Sequence, residues 1–127
     1  MRIPALALCV ALLTVSCGSL KGEFAMRKAP DDTYRKIHGS PEFTMDEEIQ
    51  WVYSIAAVRS PGTVGVLLMK KEIVWVEVSH RNESVNPQNR VVYGIISGLP
   101  EGHYRLVLNN INKGRMIDEL YFSVYAP

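Results

Sequence analysis

His103-Tyr104-Arg105-Leu106-Val107-Leu108-Asn109 is the stretch that decides the fold class. Tyr104, Leu106 and Leu108 recur with the two-residue period of a half-buried strand, while His103, Arg105, Val107 and Asn109 fill the opposite face. Asn112-Lys113-Gly114 then turns the chain, and Met116, Leu120, Phe122 and Val124 line a return strand. Asp118 is the one polar member of that inward set, so regular pairing is expected only after it.

The same grammar extends back through the chain. Ile49, Trp51, Tyr53, Ile55 and Ala57 alternate with Gln50, Val52, Ser54, Ala56 and Val58, and Arg59-Ser60-Pro61-Gly62 stops the run. Residues 64–69 form the next strand, and Lys70-Lys71 separates it from another at 72–80. In that strand Val74, Val76 and Val78 share one face and Ile73 and Trp75 the other. It is therefore either covered on both sides or offers Trp75 to a partner. Residues 81–89, with Asn82, Asn86 and Pro87, read as a loop, and 90–97 as a strand. Phe43-Thr44-Met45 is a weaker strand before the Asp46-Glu47-Glu48 turn. No segment from Glu48 onward carries a long helical period with caps. The expectation is an all-β chain, with residues 42–127 forming a single small antiparallel β-sandwich of about seven strands.

Gly98-Leu99-Pro100-Glu101-Gly102-His103-Tyr104, with the strand that follows and Leu120-Tyr121-Phe122-Ser123-Val124, resembles the last two strands of bacterial immunoglobulin-like or fibronectin type III-like domains. The resemblance implies a corner in which Gly102 permits the bend, Leu99 plugs the end of the core and a buried Tyr104 returns its hydroxyl to nearby backbone. It carries no implication of activity, because many functions use this sandwich. The immunoglobulin cysteine pair is absent.

At the other end of the chain, Arg2 precedes an apolar run over residues 3–15 that falls short of the roughly 20 residues a spanning helix needs. Leu13-Thr14-Val15-Ser16-Cys17-Gly18-Ser19 resembles the lipobox of bacterial lipoproteins, with Thr14 where leucine is usual. The resemblance implies a signal peptide over 1–16 and a diacylated Cys17 as the mature N-terminus. It also implies a lipidated tether over 17–41, and Gly18 after the cysteine resembles the signal for transfer to the outer membrane. The competing reading is an ordinary secretory peptide cut near Ser16 or Ser19, with Cys17 incidental. Cysteine usage favours the lipid: the chain has two cysteines, and Cys9 lies in the segment that cleavage removes. Several acyl chains, at about 0.8 kcal/mol per buried methylene, would make attachment effectively permanent.

Formal net charge is +1, and loss of Arg2 with the signal leaves a neutral mature chain of single-domain length. That argues against a nucleic-acid partner. Lys21, Arg27, Lys28, Arg35 and Lys36 outnumber Glu23, Asp31 and Asp32 in the tether, which is read as a solvated spacer punctuated by Ala29-Pro30-Asp31-Asp32 and Gly39-Ser40-Pro41. Tyr34 and Ile37 are the positions available to dock it onto the domain as a first strand.

No catalytic or metal signature emerges. His38, His80 and His103 are isolated, no serine lies in a GxSxG elbow, and Asp46-Glu47-Glu48 reads as a polar turn. Asn82-Glu83-Ser84, which matches a glycosylation acceptor, reads as loop. No cofactor is expected. Trp75, Tyr121 and Tyr125, if turned outward, would form an apolar platform with polar tips, the composition of interface centres. Packing into the core or beneath the tether is the alternative. The expectation is a non-enzymatic envelope protein, held on the membrane by Cys17 and binding an envelope or surface protein or serving as a structural module. The alternatives are a periplasmic assembly factor and a binder of a small ligand or carbohydrate.

Overall fold

In a computed structural model, residues 19–127 are described, and they are all-β. The nine strands are β1 (Gly22–Lys28), β2 (Arg35–Lys36), β3 (Glu42–Thr44), β4 (Ile49–Ile55), β5 (Gly62–Lys71), β6 (Trp75–Val85), β7 (Val91–Ile96), β8 (Gly102–Asn110) and β9 (Arg115–Tyr125). They form two open sheets in the orders β2-β1-β4-β7 and β3-β9-β8-β5-β6. All neighbours are antiparallel except β3, which runs parallel to β9. The sheets face one another as a sandwich-like pair around one apolar cluster.

The alternation that predicted β4, β8 and β9 supplies that cluster. Ile49, Trp51, Tyr53 and Ile55 of β4 meet Tyr104, Leu106 and Leu108 of β8 and Leu120, Phe122 and Val124 of β9, all buried. Tyr104 stacks on Phe122 at 5.3 Å between ring centroids, and its hydroxyl donates to the Pro100 carbonyl oxygen at 2.5 Å. Burying each large side chain contributes about 1.5–3 kcal/mol, so these facing rows are the main source of cohesion.

Four differences from the sequence expectation have physical causes. First, the segment assigned as tether contains β1, which pairs with β4 from Gly22↔Ile55 to Lys28↔Ile49. Phe24 and Met26 alternate with charged and small residues and enter the core, where Phe24 meets Tyr53 edge-on at 4.6 Å. Residues 29–41 then cross from one sheet to the other, adding Arg35 and Lys36 as β2 and leaving Ile37 partly buried.

Second, Met116 does not face inward. Asn109 pairs with Met116 but Leu108 with Asp118, so a bulge leaves Ile117 as the extra residue. Parity flips there: Ile117 is 6% exposed and Met116 52%.

Third, Val76 and Val78 are exposed. β6 is an edge strand with a bulge of its own, Leu68 pairing with Ser79 and Met69 with Glu77, and its first half runs past the core.

Fourth, most of the expected loop at 81–89 is strand, because β5 is long enough to pair as far as Gly62↔Val85. The turn shrinks to residues 86–89, where Asn86 Oδ1 accepts from the Gln88 and Asn89 amides at 2.8 and 2.9 Å.

Register also sorts the loops into two ends. Ser19, Leu20 and the starts of β1 and β5 lie beside residues 59–62 and 110–113. The β5–β6 connection at 72–74 lies at the opposite end, with the corner at 97–101 and the start of β8.

Candidate functional site

Trp75 opens β6, where it pairs with Lys71, and Tyr121 lies in β9, where it pairs with Arg105 of β8. Two strands separate β6 from β9, yet the rings meet above the outer face of the five-stranded sheet at 5.8 Å between centroids and 60° between planes. Arg105 explains how. Its guanidinium carbon lies 5.9 Å from each ring centroid and bridges them. Glu119 holds that guanidinium, with Nε and Nη2 donating to Oε2 at 3.0 and 2.8 Å. Lys71 Nζ lies 5.4 Å from the Trp75 centroid.

The pair is only partly hydrated, at 25% side-chain exposure for Arg105 and for Glu119, so it is less screened than a surface ion pair. Tyr121 is 42% exposed, and the Glu119 carboxylate acting through its side chain raises the phenol above its ordinary pKa. Trp75 is half-buried. The result is a group of two aromatic faces, two cations and one anion on rigid strands. Its chemistry is recognition: apolar area of low conformational entropy, with charges that set orientation.

Tyr125 does not join this group. It is 41% exposed and lies at the C-terminal end of β9 beside β3, where it pairs with Thr44 and its carbonyl accepts from the Met45 amide at 2.9 Å. Next to Trp75 stand Val74 and Ile73, 64% and 97% exposed, so the platform continues into an apolar hairpin tip. Cys17 lies outside the described residues.

Of the remaining candidates, His80 Nδ1 lies 3.0 Å from Glu77 and His103 Nδ1 2.8 Å from Ser123 Oγ, both exposed. Among the described residues no three His, Cys, Asp or Glu side chains gather as a metal site. Sequence reasoning did not single out Arg105 and Glu119 as site residues. Alternation put Arg105 on the outer face, but only the β8–β9 register sets it opposite Tyr121. Nor did it find the strip of Val91, Tyr93 and Ile95, exposed on the outer face of the other sheet.

No family model matches this chain, and no curated protein matches it.

Proposed function

We propose that the chain is a lipid-anchored protein of the bacterial cell envelope that acts without catalysis, binding another envelope protein through the outer face of its five-stranded sheet. The observation that carries this reading is the Trp75–Arg105–Tyr121 cluster with its apolar extension at Ile73 and Val74. Large apolar tips are costly to hydrate unless something covers them, and aromatic residues with arginine are the composition of binding hot spots. The anchor at Cys17 follows from the lipobox resemblance. Ser19 and Leu20 lie at the end of the sandwich opposite residues 72–74, so a membrane attachment two residues before Ser19 leaves the aromatic face and the hairpin tip pointing away from the bilayer.

The sandwich itself is read as immunoglobulin-like. Support comes from β3 running parallel to β9 while β1 pairs with the other sheet, and from the Tyr104 hydroxyl returning to the Pro100 carbonyl just before β8. The test of function is crosslinking in intact cells followed by capture of the tagged chain, comparing wild type with Trp75→Ala/Tyr121→Ala. The reading requires an envelope protein that is crosslinked reproducibly by the wild type and lost in the double variant. An undiminished crosslink in the variant would remove the aromatic face from the account.

A further inference from the structure

Where residues 29–41 cross between the sheets, they leave a pocket of about 290 Å³ between β1, β2 and β3. Its floor is the edge of the core, formed by Met26, Phe43 and Ile49 with Ile37 at the side. Arg35 stands at its mouth. Because Arg35 pairs with Met26, which turns into the core, the register directs Arg35 to the inner side of the sheet, whereas Lys36 shares the outer side with Ala25 and binds Glu23 there. Arg35 makes no ion pair among the described residues. Three further cations line the pocket and are already engaged. Arg27 donates to Gln50 Oε1 and to the Asp32 carbonyl oxygen, and Lys36 is paired with Glu23. Lys28 is paired with Glu47 at 2.7 Å, though with half its side chain in water that last pair can exchange for another anion. Asp31 is the pocket's one carboxylate.

We infer that this pocket binds a small monoanionic amphiphile of the medium-chain carboxylate class, its tail on Met26, Phe43 and Ile49 and its headgroup on Arg35. The volume lies at the lower end of ligand cavities and suits a short acyl chain, and the apolar floor beneath a mouth with one uncommitted cation fits a chain ending in one negative charge. A guanidinium free on the inner side of a strand can meet a carboxylate with two parallel hydrogen bonds. This site is separate from the aromatic face and does not depend on a protein partner.

The test is photoaffinity labelling of the full chain in lipid nanodiscs with a diazirine-bearing octanoate, mapped by mass spectrometry. Labelling should concentrate on residues 26–43 and saturate. Octanoate should displace it roughly tenfold or more better than hexanoate, since two methylenes are added, and roughly tenfold better than the neutral octanol, which lacks the charge. Arg35→Gln, with an unchanged melting temperature, should weaken labelling by a similar factor. Unsaturable labelling across the surface would overturn the proposal, as would equal displacement by octanol. So would full labelling of Arg35→Gln, which would leave Arg35 as a charge guarding the sheet edge.

Discussion

The Tyr53 hydroxyl donates to Asp118 Oδ2 at 3.0 Å across the two sheets and accepts from the Gly22 amide at 2.7 Å. One buried oxygen thereby ties the first strand to the last. Asp118 is held in turn by the Glu119 amide at 2.9 Å and by Lys21 Nζ at 3.8 Å. The acid that broke the inward pattern of β9 in the sequence is therefore the acceptor that satisfies a core tyrosine.

Tyr53→Phe should destabilise the domain by about 1–3 kcal/mol, since it removes a hydrogen bond to a charged group and strips the Gly22 amide of its acceptor. Urea unfolding followed by tryptophan fluorescence measures this. An unchanged midpoint would mean that the cross-sheet tie contributes nothing.

Alkaline pH should act through the same group. Burial is the largest cause raising the Tyr53 pKa well above its ordinary value of 10.0, and the neighbouring Asp118 carboxylate adds to it against the Gly22 amide. Above pH 10 the unfolded chain releases this proton while the folded chain keeps it, so the unfolded state holds fewer protons and stability falls as pH rises. Tyr104, raised mainly by burial, moves in the same direction. Stability should be insensitive to these groups below that pH and decline above it, with a shallower decline in Tyr53→Phe. Equal slopes in the two proteins would rule out Tyr53 as the source.

Gly94→Ala should cost about 1–3 kcal/mol by overpacking. Gly94 pairs with Trp51, whose indole lies flat over it, and an added Cβ would stand 2.8 Å from Trp51 Cε2 and Nε1. A buried ring on a central strand has little room to retreat. The expected readout is a lower melting temperature with altered Trp51 emission, and a variant matching wild type in both would show that the ring moves freely.

Cys17→Ala should abolish labelling by radiolabelled fatty acid and move the chain out of the detergent phase. Acylation persisting in this variant would remove the lipid anchor from the account.

The strands that the sequence made legible are those where one face is buried and the other wet. β4, β8 and β9 have Trp51, Tyr104 and Phe122 at alternate positions, and water selects the parity. β1 was obscured because only Phe24 and Met26 mark its buried face, within a segment whose many charges resemble a spacer. The β9 bulge was hidden for a different reason. Met116 and Ile117 are equally apolar, and only the register against Leu108 and Asn109 decides which turns inward. For the aromatic face, the outward residue types were legible and the meeting of Trp75 with Tyr121 across two strands was not, since it depends on Arg105 lying between them. The pocket beneath Arg35 depends on the path of a crossover, which has no periodicity to read.

The most direct test of the central claim is a photocrosslinking residue placed at Tyr121 in intact cells, with the same residue at Tyr93 on the opposite sheet as control. Tyr93 is 69% exposed, so it is the more accessible position. The account predicts a discrete envelope-protein adduct from Tyr121 that disappears with Trp75→Ala, and none from Tyr93. An adduct from Tyr93 alone would contradict it and move the interface to the face formed by Val91, Tyr93 and Ile95.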